Sequence, residues 1–141
     1  GGTGTGGGTG TGGGTGTGGG SATGGGTGTG GSSLWDGGMY EDAGVVDWTF
    51  EVTDYRGFDG TRVAAICPPN GMAEDVWGTD VYTDDSSVCT AAVHAGLVSL
   101  ISGGPVTVEI RPGEMSYVGS TRNGITTEDY MSWLGSYVFV P

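Results

Sequence analysis

Lysine is missing from this chain of 141 residues, and its only strong cations are Arg56, Arg62, Arg111 and Arg122. Sixteen acids oppose them, for a net charge of −12. Such a surface repels nucleic-acid phosphates and anionic lipid headgroups, so no nucleic-acid partner is expected. Cations, basic partners and neutral glycans stay open as ligands. No apolar run reaches the roughly 18–20 residues of a membrane-spanning helix, so no membrane span is expected either. The two asparagines are followed by Gly71-Met72 and Gly124-Ile125, which leaves no N-linked glycan acceptor. An initiator Met and a leader-like segment are also missing, and the sequence reads as a processed or internal part of a secreted protein. The signatures G-x-S-x-G, the phosphate-cradling P-loop and H-E-x-x-H do not occur. No enzymatic activity, no cofactor and no metal site are therefore expected.

What the chain has in excess is glycine. Of its 34 glycines, 20 fall in residues 1–31. This stretch is five hexads: GGTGTG three times, GGSATG once, then GGTGTG again. Every hydroxyl sits at an odd position, namely Thr3, Thr5, Thr9, Thr11, Thr15, Thr17, Ser21, Thr23, Thr27 and Thr29. Even positions carry only Gly, with Ala22 as the exception. As a strand the tract has one bare face and one hydroxyl face. As a period-three rod it has a Gly edge suited to close approach. Either form spans about 90–100 Å when extended. Gly-rich composition without apolar side chains also describes a slack linker. Dense Thr among small, uncharged neighbours suits O-glycan attachment, and the ten hydroxyls are the candidate acceptors. The regular hydroxyl register favours an extended, ordered tract that assembles with copies of itself.

From Leu34 the composition becomes ordinary, which divides the chain into a repeat at 1–33 and one small domain at 34–141. Residues 45–52, VVDWTFEV, alternate cleanly and predict a half-buried strand with Val46, Trp48, Phe50 and Val52 inward. Residues 61–67, 105–110 and 135–140 predict further strands. Residues 84–96, DDSSVCTAAVHAG, predict a helix with acids and Ser at its start and Gly96 at its end. Its body is apolar nearly all round, so neighbours must enclose it. The fold class implied is α+β, one buried helix among antiparallel strands.

Several residues invite chemistry. His94 beside Ser86, Ser87, Asp84 and Asp85 suggests a catalytic triad, but His94 and Ser87 are seven residues apart, about 10 Å along one helix. A structural histidine is the expectation. Residues 79–87 and 54–60 concentrate oxygen ligands yet match no EF-hand loop. Asp84 and Asp85 are assigned instead to the positive end of the helix. Trp35, Trp48, Trp77 and Trp133, with Tyr40, Tyr55, Tyr82, Tyr117, Tyr130 and Tyr137, offer either a sugar-stacking platform or core. Core is expected for Trp48 and Trp77 in particular.

Residues 86–96 (SSVCTAAVHAG), 102–110 (SGGPVTVEI), the Tyr117, Ser120, Asn123-Gly124-Ile125 series and the terminal GSYVFV resemble the LCCL domain family. Residues 65–71, AICPPNG, resemble that family's cysteine-bearing turn. The resemblance covers about residues 45–140 and implies a central helix wrapped by two β-sheets. The family's usual four cysteines are reduced here to Cys67 and Cys89. Loss of two with retention of two implies a Cys67–Cys89 bridge, the default in a secreted chain. Two buried free thiols are the alternative. The family is associated with extracellular recognition, including of microbial surface components. Two functional expectations follow. The first is a structural subunit of an extracellular filament or surface fibre, assembled head-to-tail from copies of this chain through the Gly/Thr tract and carrying covalent glycans. The second is an extracellular glycan- or lipopolysaccharide-binding module on a flexible stalk. Both place the protein outside the cell or on its surface.

Overall fold

A computed structural model describes residues 38–141 throughout and, before them, the backbone of 7–8, 10–11 and 32–35. The expectations made for residues 1–31, including nine of the ten glycan-acceptor candidates, lie outside the described residues. Of the tenth, Thr11, only the backbone is described.

The chain forms two compact units. The first comprises residues 1–44 and 61–64. Within it, β1 (Ser32–Trp35) and β2 (Gly38–Val45) pair antiparallel, from Ser32 opposite Glu41 to Trp35 opposite Gly38. Strand β3 (Arg62–Cys67) starts in this unit with Thr61 and Val63 buried, and its alternation turns Val63, Ala65 and Cys67 inward.

The second unit comprises residues 45–60 and 65–141. Here β4 (Gly78–Thr79), β5 (Val81–Thr83), β6 (Gly104–Pro112) and β9 (Gly135–Phe139) lie in the order β6-β9-β5-β4, every neighbour antiparallel. Val106, Val108 and Ile110 of β6 are buried, as their spacing of two requires. A separate small hairpin joins β7 (Thr121–Arg122) to β8 (Ile125–Thr126) across Asn123-Gly124, both at positive φ.

Helix α1 (Val88–His94) has all seven residues buried. A helix this short is marginal by itself and is held by what surrounds it. At its start, Ser87 Oγ accepts the Thr90 N–H at 3.1 Å and donates to the Trp48 carbonyl at 2.7 Å. The Val88 N–H donates to Phe50, and the Tyr137 hydroxyl donates to the Ser86 carbonyl at 3.0 Å. At its end, the Asn123 side chain donates to the His94 carbonyl at 2.9 Å, and Gly96 takes φ 84°. Midway along the chain's path, a Cys67–Cys89 disulfide ties β3 to the helix, with the Cα atoms 5.7 Å apart. The fold is α+β, with the helix at the centre and antiparallel pairing around it.

Two expectations need correction. Residues 46–52 are not a strand; β2 stops at Val45. The inward turn of Trp48 and Val52 holds, but local side chains capture the backbone. The Asp47 carboxylate accepts from both the N–H and the hydroxyl of Thr49, and the Asp47 carbonyl accepts from Phe50. Such Asx turns compete directly with a ladder. The helix, moreover, starts at Val88 rather than near Asp84, and its first turn holds no acid. Asp84 serves an ion pair instead.

Candidate recognition surface

Asp84 is fully buried and receives three charge-assisted bonds. Arg56 Nε donates to Oδ2 at 2.7 Å and Nη2 to Oδ1 at 2.8 Å, while Trp133 Nε1 donates to Oδ1 at 2.8 Å. The Arg56 guanidinium also lies 5.4 Å from the centre of the Trp133 ring. The carboxylate therefore pins a loop arginine and a loop tryptophan. Arg56, reached from 28 residues away in sequence, had no signal in the residue pattern.

His94 is equally committed. The Tyr82 hydroxyl lies 2.9 Å from Nδ1, and Nε2 lies 3.0 Å from Ser120 Oγ and 3.3 Å from the Ser120 carbonyl. A neutral ring with its proton on Nε2 satisfies this set, with Tyr82 donating to Nδ1. Burial pushes the imidazole below its usual range. Ser87 and His94 occupy opposite ends of α1, so the structure does not bring them together. The three aspartates of residues 79–87 do not act together: Asp80 pairs with Arg122 at 2.8 Å, Asp84 pairs with Arg56, and Asp85, outside the first helical turn, has a buried Oδ1 without a hydrogen-bond partner. Among the described residues, no three His, Cys, Asp or Glu side chains converge as a metal site would need.

The aromatic residues divide. Trp48 is buried with Nε1 donating to the Pro68 carbonyl at 3.0 Å, and Tyr82, Tyr117 and Tyr137 are buried as well. Burial raises the Tyr137 phenol well above its usual range. Trp77, Tyr130 and Trp133 instead form a row near the surface, with ring centres 6.4 Å and 5.5 Å apart and edge-to-face geometry.

That row borders a pair of segments, 113–118 and 129–134. Tyr117 and Tyr130 exchange backbone bonds at 2.7 Å and 3.0 Å, and the Trp133 N–H donates to Glu114 at 3.1 Å. Gly113 permits the close approach, since a Cβ there would overlap the Trp133 carbonyl. Below, the buried Tyr117 hydroxyl holds Ser136 Oγ at 2.6 Å and accepts the Glu114 N–H at 2.9 Å. Above, large apolar side chains stand in solvent: Met115 is 84 % exposed, Met131 75 %, and Leu134 and Val118 70 % each. The paired segments together form a ledge with exposed apolar side chains. Sequence reasoning passed it over, because EMSY and EDYMSWL have no strand or helix period. The available signal was the reverse: methionines and leucine in stretches too polar to make core.

A sequence profile of the LCCL domain matches residues 42–137. The chain belongs to the LCCL domain family. It is similar to cochlin of Cavia porcellus, 41 % identical over 86 residues, covering 58 % of this chain and 16 % of that protein. Human cysteine-rich secretory protein LCCL domain-containing 2 is 51 % identical over 53 residues, 38 % of this chain and 11 % of its own length. Clotting factor C of Tachypleus tridentatus is 38 % identical over 96 residues, 67 % of this chain and 9 % of its own. The chain thus spans a small fraction of each of these relatives, and what they share with it is the module. The helix, the disulfide and the ledge all fall inside the matched residues. Among the described residues, no helix is long and apolar enough to cross a membrane.

Proposed function

We propose that this protein is an extracellular, non-catalytic recognition module whose binding face is the ledge of residues 113–118 and 129–134 with its aromatic row. The observation that carries this is the contrast in that one place. A Tyr117–Tyr130 bridge, a Trp133–Glu114 backbone bond and a buried Tyr117–Ser136 bond hold two segments that leave several large apolar side chains in water. Exposed apolar groups grouped in this way mark interaction sites. An oxidised Cys67–Cys89 pair and a secretory relative support a place outside the cell. The Trp77–Tyr130–Trp133 row supports glycans as one ligand class, while the chain's negative charge disfavours the phosphates of lipopolysaccharide.

The test is a binding screen of the whole chain against arrayed glycans and extracellular proteins, repeated with Tyr130→Ala and with Met131→Ser. Hits whose affinity falls about tenfold or more in either variant, with unchanged circular dichroism, support the reading. Hits indifferent to both variants place recognition elsewhere.

The regular hydroxyl register of the hexads favours a second role, self-assembly of the 1–33 tract into fibres with the 34–141 domain as cargo, its Thr residues bearing O-glycans. Electron microscopy of the full chain and of a chain lacking residues 1–31 tests this. Fibres that persist after the deletion rule it out. Intact mass in hexose-sized increments above the bare 14.0 kDa would establish the glycans.

A further inference from the structure

The ledge has a charge as well as an apolar surface. Glu114 flanks Met115, and Glu128 and Asp129 lead into Tyr130 and Met131. All three carboxylates are exposed, and none is in an ion pair with a described arginine. Asp129 accepts the Gly119 N–H at 2.7 Å, which fixes one of them in place. Three of the four cations of the chain are tied elsewhere, Arg56 to Asp84, Arg111 to Glu109 and Arg122 to Asp80. The ledge therefore pairs flexible, polarizable methionines with uncompensated negative charge. Methionine side chains adapt to varied apolar partners. A rim of one sign steers and selects partners of the other.

Resting on the recognition reading above, we infer that the ledge docks a cationic amphipathic segment of a protein partner, its apolar face on Met115, Met131 and Leu134 and its Lys or Arg side chains on Glu114, Glu128 and Asp129. This occupant follows from complementarity. A second copy of this chain brings −12 net charge, with three of its arginines already paired, so it fits the rim poorly. Anionic lipid and nucleic acid are repelled. Neutral glycans would leave the methionines and leucine without apolar contact. The arrangement is the helix-in-groove mode without a groove, an amphipathic stripe laid on a ledge.

The probe is a dye-labelled amphipathic helical peptide of Leu and Lys, with a Leu and Glu peptide of the same pattern as its counterpart. Anisotropy is read on the whole chain. The Leu/Lys peptide should bind, weaken about tenfold between about 50 mM and about 300 mM salt, and leave the Leu/Glu peptide unbound. Diffuse attraction to an acidic protein would give the same salt effect, so two comparisons decide. Met115→Ser with Met131→Ser should weaken binding about tenfold at constant charge. Glu114→Lys with Glu128→Lys should weaken it far more than the equal charge change made off the ledge, Asp59→Lys with Glu74→Lys. Equal effects of the two charge pairs, or no effect of the methionine pair, would overturn the inference. Neutral oligosaccharides that bind in a Met131-dependent manner while the Leu/Lys peptide does not would also overturn it and leave the recognition reading standing. Failure of every ligand to respond to the ledge variants would remove both.

Discussion

The surroundings of α1 and the ledge at 113–118/129–134 are built from similar materials, short segments joined by turns, and they use them in opposite ways. Around the helix, polar groups are brought inside and nearly all are given partners: Ser87, Thr90, Asp84, His94 and Ser136 are all buried and all bonded, while Asp85 Oδ1 alone among the described buried side-chain oxygens and nitrogens has none. On the ledge, one isolated bridge at Tyr117 and Tyr130 and a Trp133–Glu114 bond join the two segments, and large apolar side chains face water. A buried polar group without a partner costs about 1–3 kcal/mol, so the first arrangement specifies one structure. An exposed methionine costs the fold little and offers contact area to something else. Stability is concentrated in one region and availability in the other, and substitutions should divide the same way.

The largest loss is expected from opening the disulfide. It closes a loop with a sequence separation of 22 residues. On the chain-entropy account, that is worth about 3 kcal/mol. Cys67→Ala with Cys89→Ala should lower the thermal midpoint by roughly 10 °C or more for a domain of this size. A midpoint unchanged within 2–3 °C, about the shift of a few tenths of a kcal/mol, would show that the helix needs no clamp. Next comes Asp84→Ala, which strands the Trp133 N–H and half-buried Arg56. Removing one partner of a buried pair costs about 3–5 kcal/mol, and the exposure of Arg56 reduces this to about 2 kcal/mol here. Denaturant unfolding measures it. Restoration by Arg56→Met in the same chain would identify the uncompensated charge as the cause.

The fold was largely legible because its strands at 61–67, 105–110 and 135–140 and its apolar helix obey simple periods, and the observed β3, β6, β9 and α1 follow them. Three features were not legible, each for a physical reason. Residues 46–52 alternate as a strand does, yet Asp47 and Thr49 bend the chain locally, and periodicity carries no record of that competition. The sequence points Asp84 to the helix dipole because its partner is 28 residues away, and sequence shows neighbours along the chain, not across it. The β1/β2 hairpin was passed over because MYEDAG mixes apolar and acidic residues without a clean period. As for the surface, Tyr130 and Trp133 were named as candidates, but the methionines beside them were not. Exposure is decided by how segments distant in sequence meet, as where Tyr117 reaches Ser136, and no local pattern encodes that.

The histidine end of α1 offers a milder perturbation, acid. The groups around His94 are Tyr82, Ser120, Arg122 and Asp80; burial and Arg122 disfavour the cation, while the Ser120 carbonyl and Asp80 favour it. Burial dominates, so the folded protein binds this proton less readily than the unfolded chain does. Stability is then steady above about pH 7 and falls as pH drops below about 6.5, until the lowered folded value is reached. Glu41, pushed up by burial, contributes with the opposite sign near its own range. His94 is the sole histidine, so its ring signals in an NMR titration report the site directly. A midpoint at or above 6.5 would contradict the buried neutral ring.

The smallest effect should come from the ledge itself, and its smallness is the point. Met131→Ser removes an apolar side chain that is 75 % exposed and leaves the Tyr117–Tyr130 and Trp133–Glu114 backbone bonds in place. Surface changes of this kind fall within about 0.5 kcal/mol of neutral, so the thermal midpoint should stay within about 2–3 °C. A core position of similar volume behaves otherwise: Ile110→Ala, in a side chain 1 % exposed, should cost about 2–5 kcal/mol. If Met131→Ser destabilised the protein as Ile110→Ala does, the methionine would be part of the core in solution. The ledge would then be closed over itself rather than open to a partner.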